Sequence, residues 1–271
     1  MPATEPFDRA LRRRRHAAAA AGFDAAAFLH TAITEEVLAR IHGVARDFPM
    51  VLDLGGPRAV WPGAVRLALA PPANVVADED RLPFADGVFD LVVAIGGLAS
   101  VSDLPGALAQ IRRVLRPDGL FIAAFAGGMS LAELRADLLA ADVAITGGAA
   151  ARTAPMVEAQ AAAGLLQRAG FAMPVADVER LTVRYSGLGG LLDDLTAMGT
   201  RSVLAQRAPL RRDTLADAAA RFAARADADG KTPVSVDILY LAGWAPAPGQ
   251  PVPLKPGSGK TSLAAALGSR I

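Results

Sequence analysis

The chain of 271 residues contains no cysteine. That absence excludes disulfides, thiolate metal sites and cysteine nucleophiles. Histidine is scarce as well: His16, His30 and His42 are the only three and stand apart, so a His-rich metal site is not expected. Lysine is confined to Lys231, Lys255 and Lys260, which leaves arginine to carry the basic charge. With the excess of alanine, this reads as genome composition rather than as a nucleic-acid surface. Neither sign of charge predominates, because the formal net charge is +1, and bulk electrostatics names no partner. No apolar run is long enough to span a bilayer. Arg12–Arg15 followed by alanines resembles the start of a signal peptide, but Asp24 follows and no long apolar region does. A cytoplasmic protein is expected.

What is present is a globular composition, with 52% apolar residues. A chain of this length buries one core, with room for a small appended subdomain. The organising stretch is 75–125. Val75–Ala77 is a short apolar run ending at Asp78. Phe89–Ile95 (FDLVVAI) is nearly continuous and β-branched, as expected for a strand covered on both faces. Asp103 is placed to cap a helix, along which Leu108, Ile111, Val114 and Leu115 repeat at helical spacing. Pro117-Asp118-Gly119 is a turn, and Leu120–Phe125 the next buried strand. Upstream, residues 7–20 and 25–46 read as helices, the second with Ile33, Val37, Leu38 and Ile41 on one stripe. Met50–Leu54 is the first strand. Downstream, 130–141, 155–169, Leu188–Met198 and Thr214–Ala228 read as helices. Phe171–Val175, Val178–Tyr185 and Val234–Trp244 read as strands.

The order D-x-x-x-LPF, FDLVV, a helix ending in LRPDG and a strand resembles the second half of class I S-adenosylmethionine (SAM)-dependent methyltransferases, of the type 11 group. PFDRALRRRR near the start and PLKPGSGKTSLAAAL at the end are similar to a narrower set. It comprises bacterial methyltransferase-like proteins, the malonyl-carrier-protein methyltransferase of biotin synthesis and, nearest, a mitochondrial complex I assembly factor described as an arginine hydroxylase. The resemblance implies an α/β fold: a Rossmann-like class I methyltransferase sheet with a reduced N-terminal half, N-terminal helices and a helical insertion. It divides the chain into N-terminal helices (1–48), an α/β domain (49–245, with the insertion at 186–229) and a Pro-rich tail (246–271). The last strand is expected antiparallel beside the fifth.

The same resemblance implies where SAM would sit. The family loop D-x-G-x-G-x-G lets the backbone approach the cofactor, which only glycine permits. Here it reads Asp53-Leu54-Gly55-Gly56-Pro57-Arg58-Ala59. Pro57 fixes φ and removes an N–H, and Arg58 is expected to lie across the ligand's place. Ala64–Leu69, the candidate second strand, runs into Ala70-Pro71-Pro72 without the acid that holds the ribose. Too few residues separate it from Asn74–Ala77 for a parallel crossover, which takes about a dozen or more. The expectation is therefore that 64–70 pairs antiparallel or lies outside the sheet, and that a βαβ unit is deleted. Asp78 would be the adenine reader, with Glu79 beside it; alternatively Asp78 is a turn residue. Ala99 and Ser100 stand where relatives carry a His-Trp pair. Met129 stands in for an Asp in Gly127-Gly128-Met129-Ser130-Leu131. The cofactor positions are thus Asp53, Gly55, Asp78 and Glu79, should SAM bind at all; no catalytic side chain and no metal ligand is identified.

Two features stay open between function and plain solvation. Phe7–Ala20 (FDRALRRRRHAAAA) is either a basic arm that touches a substrate or closes a pocket, or a solvated helix face. Arg184, Arg201, Arg207, Arg211 and Arg212 are either a docking surface for an acidic partner or ordinary solvated arginines. Gly257-Ser258-Gly259-Lys260-Thr261 looks like a phosphate loop, but Leu254 occupies the first glycine position and no strand precedes it. A linker with a short capped helix fits better. The resulting expectation is a pseudoenzyme: a methyltransferase-fold protein that has lost SAM and serves as a binding or assembly factor for a respiratory-complex subunit. The alternative is an active SAM-dependent methyltransferase or arginine hydroxylase, acting on a protein or small molecule, with Arg58, Trp61 or the N-terminal helices compensating for the gap. A vacated pocket exposes apolar surface, which a homodimer would bury.

Overall fold

Strand β4 (Phe89–Ile95) is the centre of the molecule. Its residues are buried but for Asp90, which is half-buried at the strand's start, so it packs on both sides. The computed structural model describes residues 5–251 together with Ser258 and Ser262. On one side of β4 lies β1 (Val51–Leu54), then β2 (Val65–Ala68) and β3 (Val75–Val76). On the other lie β5 (Leu115–Gly127), β7 (Thr232–Trp244) and β6 (Ala172–Tyr185), giving the sheet order β3-β2-β1-β4-β5-β7-β6. All pairings are parallel except those of β7, which is antiparallel to both β5 and β6.

Helix α1 (Arg9–Ala20) starts at Asp8, whose carboxylate accepts from Leu11 N–H. Helix α2 (Phe28–His42) buries Ile33, Val37 and Ile41 on one stripe, against Val51, Leu91 and Val93 of the sheet. Helix α3 (Leu104–Val114) covers the opposite face with α5 (Ala159–Arg168), and Asp103 caps it at 2.8 Å from Gly106 N. Helices α4 (Ala132–Thr146), α6 (Leu188–Ala197) and α7 (Arg212–Ala224) form a third apolar cluster around Phe222. The two expected strands at 171–185 are one, β6, with an irregularity between Ala172 and Val175. The expected turn at Pro117-Asp118-Gly119 is absorbed into β5 as an irregularity, with Asp118 at φ 62°. The short helix expected in the C-terminal tail lies outside the described residues.

One expectation about the sheet fails. Segment 64–70 pairs neither antiparallel nor outside the sheet: β2 is parallel to β1 (Leu52 opposite Val65) and to β3 (Leu67 opposite Val75). The reason is the length of the return path. The chain leaves β2 after Ala68 and re-enters the sheet opposite Leu67. It steps back about one residue, ~3.3 Å, and sideways about one strand spacing, ~4.8 Å. The loop Leu69–Asn74, extended, reaches ~20 Å. The dozen-residue rule applies when a helix must span a full strand, and β3 is only two residues long. Both crossovers on this side have lost their helices; the strands remain.

Asn74 makes the short loop work. Its N–H donates to Arg66 O at 2.9 Å and its Oδ1 accepts from Arg66 N–H at 2.8 Å, in the manner of a ladder. Asn74→Ala removes the second bond. We expect a loss of about 1 kcal/mol, read as a lower urea midpoint at unchanged slope.

Candidate functional site

In open α/β sheets, ligands bind beyond the carboxyl ends of the strands, where the order reverses. Here that place lies beyond β1 and β4, where Gly55, Asp78–Asp80 and Gly96–Ser100 converge. Helix α1 lies across it. Arg9, Arg12 and Arg13 fall at i, i+3 and i+4, so they share one face. Between them they meet the three acids that follow β3, and Arg9 also bonds Glu5 at 2.8 Å and approaches Asp78 at 3.3 Å. Arg9 grips Asp80 in two bonds of 2.8 and 2.5 Å. Arg13 donates to Asp78 Oδ2 at 2.8 Å. Arg12 grips Glu79 at 2.6 and 2.7 Å, and donates also to Gly97 O at 2.6 Å and to Ser100 Oγ at 2.8 Å. Arg12 is 4% exposed and Glu79 0%. The basic stretch is therefore not a solvated face: it closes this corner. Arg9, through its bonds to Asp80, holds that carboxyl well below the usual carboxylate range.

Of the expected cofactor residues, Gly55 and Glu79 meet each other, while Asp78 is engaged by Arg13 and Asp53 by the loop after β1. Gly55 has φ +76°, and a Cβ on it would lie 2.6 Å from Glu79 Oε1. A Cβ on Gly97 would lie 2.9 Å from the Gly55 backbone. The concave side of the loop is thus filled by the chain itself. Asp53 is buried, and its Oδ2 accepts from Val60 N–H at 2.7 Å, which pins the loop after β1. Burial pushes its carboxyl up from the usual range, against the opposing pull of that bond and of Arg66.

Arg58 does not lie across the site. It is half-exposed and reaches outward to Asp24 at 3.3 Å, on a loop held at its far end by the Asp53–Val60 bond. Trp61 packs into the apolar layer beneath α2. Met129 is exposed; its N–H donates to Asp237 Oδ2 at 2.9 Å. Asp237 is the residue that pins this turn, and Arg180 holds its carboxyl below the usual range. Of the arginines at 184–212, Arg184 pairs with Asp227 and Asp229, Arg207 with Asp8 and Arg211 with Asp213.

Sequence reasoning placed Arg12 in a stretch that either closes a pocket or is solvated without naming its partner, named Ser100 without a role, and missed Asp237. The signal for the first was present: arginines at 9, 12 and 13 match the acids at 78, 79 and 80.

A mixed sheet of this order with an antiparallel β7 is the class I methyltransferase fold. The YcgJ protein from Bacillus subtilis, 14% identical, shares that fold at a TM-score of 0.53 over 79% of this chain and 99% of its own. Residues 59–123 match the methyltransferase domain family, whose members bind SAM. More narrowly, the chain belongs to the family of arginine-hydroxylase NDUFAF5. The zebrafish (Danio rerio) member is 35% identical over 95% of this chain and 88% of its own length. The human one is 34% identical over 95% and 82%. Malonyl-[acyl-carrier protein] O-methyltransferase of Laribacter hongkongensis is 29% identical over 90% and 92%.

The residues in the corner do not fit SAM as they stand. The carboxylates of Asp78 and Glu79 are engaged by arginines, Glu79 fills the hollow at Gly55, and β2 ends without an acid.

Removing one partner of a buried ion pair leaves the other charge uncompensated. Arg12→Met is expected to destabilise by about 3–5 kcal/mol, whereas Arg12→Met with Glu79→Met is expected to recover most of that loss. Urea denaturation of the two variants measures both.

Proposed function

We propose that this chain works by binding rather than by SAM chemistry: a methyltransferase-fold assembly or binding factor, in the cytoplasm, for a protein partner such as a respiratory-complex subunit. The observation that supports it is the buried fork of Arg12 on Glu79, standing where the nucleoside would need its carboxylates. A SAM site works through simultaneous hydrogen bonds. Each buried polar group left without its partner costs about 1–3 kcal/mol, and three such groups together weaken binding by several orders of magnitude.

A second reading is an active SAM-dependent methyltransferase or an arginine hydroxylase. Sequence similarity favours it over the first: the 35% identity to a protein named an arginine hydroxylase runs over 95% of the chain. It requires α1 to withdraw, so that Asp53, Gly55, Asp78 and Glu79 become the cofactor residues. Methyl transfer needs little beyond proximity and orientation, so the lack of a catalytic side chain does not oppose it.

Calorimetry with SAM and with S-adenosylhomocysteine separates the two. No heat of binding is expected up to about 1 mM, the weak end of the affinity scale. Micromolar binding to the unmodified chain overturns the first reading in favour of the second.

A further inference from the structure

Two cavities share the segment 200–202 as a wall. The larger, of about 190 Å³, is bounded by the start of α2, the ends of β4 and β5, the start of β7, and α6. The smaller, of about 170 Å³, lies between α4 and α6. Apolar side chains make most of both walls, with Phe23, Ile33, Phe125 and Met198 in the first. Neither lining contains a carboxylate. Burial pushes His16 and His30, both in the first lining, down to about 4, so they are neutral at pH 7. Arg152, in the second, is gripped by Asp142 in two bonds of 2.9 and 2.7 Å. Arg201 belongs to both linings and is exposed, and its guanidinium has no ion pair or hydrogen bond among the described residues. Its neighbours add to its charge. Arg15 of α1 donates to Ser202 O, and Arg207 lies 3.6 Å from Asp8. Burial, and then the nearness of Arg201 and Arg207, push the Arg15 guanidinium down from its usual range. Among these three arginines one carboxylate, Asp8, is paired, so positive charge is in surplus beside the cavities.

We propose that the larger cavity binds a medium-chain carboxylate: an unbranched alkyl chain of about eight carbons, whose head group meets Arg201. The chain length follows from comparison. A cavity of about 150 Å³ holds benzene, and this one is somewhat larger. The apolar part follows from the walls, since ligand pockets are apolar with a few placed polar groups. The head group follows from Arg201. A guanidinium presents a planar fork that matches a carboxylate in two bonds, and no carboxylate of the lining competes for it. Because Arg201 is exposed, a head group beside it keeps contact with water and escapes the heavy cost of burying a charge. A cationic ligand would meet like charge there and find no acid. A neutral one would fit the walls but leave the guanidinium as it is. The inference is independent of whether the adenosine corner binds SAM.

The test is calorimetric titration of the full chain at pH 7 with octanoate, 1-octanol and octylammonium. Octanoate is expected to bind about tenfold more tightly than octanol, the contribution of one hydrogen bond to a charged group, and octylammonium more weakly than either. Arg201→Gln, on an exposed side chain, removes the charge without disturbing the core. It is expected to retain octanol binding and lose the preference for octanoate. Met198→Trp, which fills the lumen, is expected to abolish both. Failure of octanoate to bind the unmodified chain below about 10 mM overturns the proposal. So does equal or tighter binding of octanol or octylammonium, and so does an octanoate preference that survives Arg201→Gln. Octanoate binding unchanged in Met198→Trp also overturns it, because the chain would then lie elsewhere. SAM titrated in parallel reads the adenosine corner, so the two readings fail separately.

Discussion

Arg12 and Glu79 meet in a two-pronged fork between α1 and the loop after β3, and neither side chain reaches solvent to any extent. Taking two charges out of water is costly, and their attraction offsets that only when the geometry is good and the remaining hydrogen-bonding capacity is used. Here it is used. All three nitrogens of the guanidinium donate, two to the carboxylate, with further bonds to Gly97 O and Ser100 Oγ. Arginine suits this place because its planar fork matches a carboxylate in two bonds, where a lysine would offer only a point charge.

The rest of the N-terminal half depends on that ion pair. The arginine face of α1 reaches the ends of β3 and β4, so the helix is anchored to the sheet by charge as much as by apolar packing. The side of the sheet beyond β1 has no helix between its strands, and β3 pairs through only two residues. Such a short edge is weakly held by its own ladder. The ion pairs to Asp78, Glu79 and Asp80, immediately after β3, tie it to α1 from outside. The missing crossover helices and the arginine bonds are thus two parts of one arrangement.

The corner and the neighbouring cavity differ in chemistry. The corner is a closed set of paired charges with little space left. The cavity beside it, between the start of α2 and α6, is lined mostly by apolar side chains.

Much of the architecture was legible in the residues. The run Phe89–Ile95 announced the central strand to the residue, since continuous apolar, β-branched composition has few other uses. Asp103 announced its helix by capping chemistry, and the antiparallel last strand followed from the family pattern. The parallel pairing of β2 with β3 was not legible: a count of residues between two strands says nothing of how far back the second one starts. Nor was the fate of Arg58 or Arg12, because a charge in sequence does not say which way its helix or loop will turn. Sequence alone determined the class of fold, and that the loop after β1 and the end of β2 lack a glycine and the acid of the family pattern, since these are matters of residue type and local period. Tertiary structure decided what fills their place, because a buried ion pair forms only when elements some sixty-seven residues apart are brought within hydrogen-bond reach.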